Sequence, residues 1–77
     1  MIQVSFRVPN NLLVHIKDNG SLTTDGVEFN TAKVRDKLGF VIGFIAHFES
    51  SDVKKVIKVE SMLKKSGIDY VTRTIKG

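Results

Sequence analysis

Phe40-Val41-Ile42-Gly43-Phe44-Ile45-Ala46-His47-Phe48 is the longest apolar run in the chain, and no charge interrupts it before Glu49. Its aromatic and β-branched residues suit a pleated strand better than a helix, which makes it the central strand of a sheet. Alternation assigns Phe40, Ile42, Phe44, Ala46 and Phe48 to one face and Val41, Gly43, Ile45 and His47 to the other. The first set is taken as the core side, and both faces are expected to be at least partly covered.

Downstream of this run, Ser50-Ser51-Asp52 offers helix caps and Gly67 a stop, which predicts a long helix over about 51–66. At roughly 100° per residue Val53, Val56, Ile57, Val59 and Leu63 form its apolar side, while Met62 falls toward the lysines. Glu60 lies within the apolar side, as an edge residue paired with Lys64 or as a half-buried carboxylate holding an Arg or His from the sheet. Ile68 to Ile75, rich in Thr, Val and Tyr, reads as a last strand.

Upstream, Ile2, Val4, Phe6 and Val8 alternate with Gln3, Ser5 and Arg7, the period of a half-buried strand. Pro9-Asn10-Asn11 reverses the chain, so Leu12 to Asp18 is expected to return as a second strand with Leu12, Val14 and Ile16 inward. Asn19-Gly20 is the favoured sequence for a type I′ hairpin turn, followed by a short strand over Ser21 to Thr24. Asp25-Gly26 is a further turn, after which Val27-Glu28-Phe29 alternates briefly. Asn30 to Gly39 supports two readings: a short helix over about 30–38 closed by Gly39, or a strand turning at Asp36-Lys37 into Phe40. The helix is preferred for its propensity and stop signal. The expected fold is therefore α+β, a mostly antiparallel sheet of four or five strands with one long C-terminal helix and a short one. A small β-barrel with a single helix is the alternative.

With 77 residues, 42% hydrophobic and 26% charged, the chain makes one ordinary globular domain rather than a disordered tail. It has no cysteine and no basic, apolar leader, which fits a reducing, cytoplasmic setting. No apolar run approaches the roughly 20 residues needed to cross a bilayer, so no membrane partner is expected. Twelve Lys and Arg against eight Asp and Glu give a net charge of +4, which favours nucleic acid or an acidic protein surface as partner.

Histidine is the side chain best suited to act as a base at neutral pH, and both histidines, His15 and His47, lie on the strand face opposite the main apolar set. They would meet if their strands were neighbours, yet no His-x-x-x-His pair, thiolate or nucleophile arrangement accompanies them. No catalytic residue, metal or cofactor is expected. The candidate contacts are cations: Lys54, Lys55, Lys58 and Lys65 on the long helix, and Arg7, Lys17 and Arg73 on the wet face of the sheet. Gln3, Ser5, His15 and His47 are expected beside the sheet cations, near Val41 and Ile45.

Gly43 to Ile57 resembles the third strand and second helix of an RNA-recognition motif, over about a fifth of the chain. The resemblance implies a sheet whose exposed face stacks bases. The stacking aromatics of that family lie two residues apart on that face, whereas Phe40, Phe44 and Phe48 lie four apart on the core side, so no binding residue carries over. The expected function is a small basic binding module, not an enzyme, with nucleic acid slightly favoured. The alternative is a protein-protein adaptor or inhibitor, an accessory protein of a cell or virus, acting through a sheet edge or apolar face as a homodimer.

Overall fold

The computed structural model describes residues 1–75 of the chain. Alternation in the first segment gives strand β1, Ile2–Arg7, whose Val4 and Phe6 are buried. After Pro9 comes a single helical turn, α1, Asn10–Leu13. Three strands follow: β2, Ser21–Thr24; β3, Val27–Arg35; and β4, Val41–Ser50. Helix α2, Val53–Lys65, and strand β5, Val71–Thr74, complete the described chain. The strands form one antiparallel sheet in the order β2-β3-β4-β1-β5, which leaves β2 and β5 at the edges and closes no barrel.

Helix α2 covers one face of this sheet and leaves the other open. Val56, Val59 and Leu63 pack down onto Val4, Phe6, Leu22, Phe29 and Ala46. Phe29 stands edge-on to Phe6, with ring centroids 5.1 Å apart, and to Phe48 at 6.1 Å. Such edge-to-face contacts add to the stabilisation that area burial gives this small core. The helix is capped at both ends. Asp52 accepts from the Lys54 N–H at 3.0 Å, and Gly67, at φ +71°, follows the last turn. There the Ile68 N–H reaches the Leu63 carbonyl and the Gly67 N–H that of Lys64, a Schellman ending.

The α+β class and the antiparallel sheet agree with the sequence, and several local expectations do not. Residues 30–38 form no helix, because β3 continues the alternation begun at Val27 through β-branched Thr31 and Val34 as far as Arg35. The hairpin then turns as the Asp36 carboxylate accepts from the N–H groups of Leu38 and Phe40 and Gly39 takes φ +88°. The glycine serves a hairpin here, not a helix end. Val34 pairs with Gly43 and Arg35 with Val41, so Ile42 is the extra residue of a bulge.

Leu12 to Asp18 is not a strand. Successive i→i+3 bonds from Leu12, His15 and Ile16 wind it into turns, so Leu12, Leu13 and Ile16 reach the core while Val14 points to solvent. Only Ile16 bridges to Leu22. Asn19-Gly20 lies in a turn, but Asn19 lacks positive φ; the two-residue turn with both central φ positive is Asp25-Gly26, at 50° and 78°.

Helix α2 is also shorter than expected, at 13 residues. Val53 and Ile57 are more than half exposed, while Met62 packs against the core, so the buried stripe is rotated toward Met62. Phe40 and Ile42 are 67% and 55% exposed rather than covered, because they belong to the β3–β4 hairpin end.

Candidate binding surfaces

The register of the sheet fixes which side chains share the open face. Gln3, Ser5 and Arg7 of β1 lie beside His47, Glu49 and Ile45 of β4, and beside Val71 and Arg73 of β5. Across β4 the face continues through Asn30, Ala32 and Val34. Arg73, Gln3 and Glu49 form a hydrogen-bonded row: Arg73 Nε donates to Gln3 Oε1 at 2.9 Å, and Gln3 Nε2 to Glu49 Oε1 at 3.3 Å. His47 Nδ1 stands 3.5 Å from the same Glu49 oxygen and, among the described residues, has no hydrogen-bond partner. At the other end of the face Arg7 lies across Gly43 and donates to the Ile42 carbonyl at 3.1 Å. Both arginines are thus present on this face, as the sequence implied, and both already have protein partners.

The helix layer is different in character. Lys54, Lys55, Lys58, Lys64 and Lys65 are all exposed, and no Lys or Arg ion pair occurs among the described residues. Helical spacing sets Lys54, Lys58 and Lys65 together on the side away from the sheet, along about 16 Å of the axis. Glu60, the carboxylate most able to neutralise them, is turned inward, where it accepts from Thr72 Oγ1 at 2.7 Å. This is neither the expected Lys64 pair nor an Arg or His contact, but it does tie helix to sheet. Lys55 and Lys58 also border a cleft of about 430 Å³ against the β2–β3 turn, lined by Val27, Phe48 and Val59 with Asp25 and Glu28 opposite.

The candidate cations therefore separate into two groups on opposite sides of the sheet. Arg7 and Arg73 share the open face, and Lys54, Lys55, Lys58 and Lys65 share the helix layer. Lys17 joins neither, since it sits in the turn before β2 and donates its N–H to the Ser21 carbonyl. His15 lies exposed in the turn after α1, so the strand pairing that would have set it beside His47 does not form.

Among the residues that the register places on the open face the aromatic ring is the partly buried imidazole of His47, because Phe44 and Phe48 point toward the helix. The sequence reading missed a further surface. Leu38, Phe40, Val41 and Ile42 are exposed together at the β3–β4 hairpin, and the apolar alternation through Phe40 concealed it.

Among the described residues no three His, Asp or Glu side chains converge to hold a metal ion, and no helix is long and apolar enough to cross a membrane. Compared with protein-family models, curated proteins and solved structures, the chain shows no match.

Proposed function

We propose that the protein is a non-enzymatic nucleic-acid-binding module that engages the phosphate backbone through the outer face of α2. The observation that carries this reading is the set of five exposed lysines on a 13-residue helix whose own glutamate is held by Thr72. A duplex carries one negative charge per roughly 1.7 Å of axis, so Lys54, Lys58 and Lys65 face several phosphates along their length. Counterion release then drives binding with little sequence preference. The open face supports it less well, because the ring that the register places there is the partly buried His47 imidazole and its arginines hold internal partners.

The test is a backbone amide NMR titration with a short duplex and a single-stranded oligonucleotide at low salt. Shifts concentrated on residues 53–65 support the reading. Shifts confined to Gln3, Arg7, His47 and Arg73, or none at millimolar ligand, defeat it.

A second reading, a protein-binding module, is favoured by the hairpin surface. Leu38 is 82% and Phe40 67% exposed on a chain with little core to spare, and clustered exposed apolar residues mark protein contacts. A Phe40→Ser variant that loses a partner captured by the parent chain supports it. Equal capture by both chains counts against it.

A further inference from the structure

Beyond the body of the sheet the β3–β4 hairpin stands as a free ribbon. β1 accompanies β4 only as far as the bond from the Val8 N–H to the Phe44 carbonyl, and β2 accompanies β3 only as far as the bond from the Thr31 N–H to the Gly20 carbonyl. From Ala32 to Gly43 the two limbs therefore pair only with each other among the described residues, over about 13 Å at the usual rise of a strand.

Charge on this ribbon has one sign. Lys33, Arg35 and Lys37 are exposed and have no ion pair among the described residues, while the single acid, Asp36, is engaged by the N–H groups of Leu38 and Phe40. Arg35 Nη1 donates to the Gly39 carbonyl at 2.8 Å, which holds the side chain on the turn and leaves its charge unneutralised. Lys33 is paired with Phe44, which packs toward the helix, so Lys33 and Arg35 lie on the same side of the sheet as the lysines of α2. The exposed apolar residues Phe40, Val41 and Ile42 all belong to the other limb, and the register sets Arg35 level with Val41.

This side-by-side division of cations and apolar groups selects the occupant. A bilayer sorts groups by depth: an inserted tip would bury the charges of Asp36 and Lys37 at its apex, and a hairpin lying on its β4 limb would put unpaired backbone groups in hydrocarbon. A nucleic-acid strand has the matching division, with phosphates along one side and bases along the other. Its bases must be unpaired, because only then do their faces turn to a side chain. We infer that the hairpin holds a single-stranded segment of nucleic acid, its phosphates along Lys33, Arg35 and Lys37 and a base stacked on Phe40. The inference rests on the reading of the chain as a nucleic-acid-binding module and adds the strandedness of the ligand: α2 takes the phosphate backbone, paired or not, and the hairpin takes bases that are unpaired.

The experiment is fluorescence anisotropy with single-stranded DNA, single-stranded RNA and a DNA duplex, on the parent chain, a Phe40→Ser variant and a Lys33→Gln, Lys37→Gln double variant. The substituted side chains are exposed, and circular dichroism verifies that each variant folds. Phe40→Ser is expected to weaken single-strand binding about tenfold at an unchanged salt slope, the loss of one stacked base, and to leave duplex binding at the parent value. The double variant should make the single-strand salt slope shallower by about 1.4. Single-strand binding indifferent to Phe40→Ser, or weakened no more than duplex binding, would overturn the inference, and duplex binding that persists in the same samples would leave the helix reading standing. Unchanged oligonucleotide affinity in Phe40→Ser together with lost binding to a protein or to phosphatidylserine vesicles would overturn it too, by giving the hairpin to those partners. A parent chain that binds neither single strand nor duplex defeats the nucleic-acid reading itself, and the inference with it.

Discussion

The Arg7 guanidinium lies over the backbone of Gly43, where a Cβ would come within 2.7 Å of its Cζ and Nε. Gly43 is therefore the place on the open face where one strand makes room for a long side chain of its neighbour. The obstacle is the free end of a flexible chain, so displacing it is cheap. Gly43→Ala is expected to change stability by less than about 1 kcal/mol, since the lost Arg7 bond to Ile42 offsets the gain of removing a strand glycine. In an Arg7→Ala background the same change should stabilise by about 0.5–1 kcal/mol. Urea unfolding of the four proteins measures this, and simple additivity would contradict the contact.

Core and hairpin aromatics should behave oppositely. Phe29 is fully buried between Phe6 and Phe48, and its replacement by Ala is expected to cost about 3–5 kcal/mol. That is much of the roughly 4–12 kcal/mol typical for a domain of this length. Phe40→Ser should stay within about 0.5 kcal/mol of the parent. Thermal unfolding followed by circular dichroism separates them, and a destabilised Phe40→Ser would mean that the hairpin surface is already covered.

Asp52 holds the first turn of α2 through the Lys54 N–H. Asp52→Ala is expected to lose about 1 kcal/mol, which lowers the melting temperature by about 4–8 °C. Asp52→Asn should retain most of it, since its side-chain oxygen still accepts. Equal losses in both would assign the effect to charge instead of the cap.

What the sequence made legible follows from which signals were periodic over enough residues. Ile2 to Val8 alternates for long enough to specify a strand, the continuous aromatic and β-branched run Phe40 to Phe48 specifies another by residue type, and Asp52 with Gly67 brackets a helix. Asn30 to Arg35 failed because Ala32, Lys33 and Arg35 have helical propensity, whereas pairing with β4 along the whole segment decided the outcome. Leu12 to Ile16 failed for a related reason: its apolar residues satisfy both periods, and only packing showed that Val14 is outside. The surface cations were legible as types, but their separation onto opposite layers needed the strand register. The Thr72–Glu60 bond had no local signal at all, since its partners lie 12 residues apart on different elements.

The most direct test of the lysine-face account is the salt dependence of affinity for a short DNA duplex, compared with a Lys54→Gln, Lys58→Gln, Lys65→Gln triple variant. The account predicts that log affinity falls with log salt at a slope of about −3 to −4, made shallower by about 2–3 in the triple variant. A parent slope near zero, or a triple variant with the slope and affinity of the parent, would contradict it.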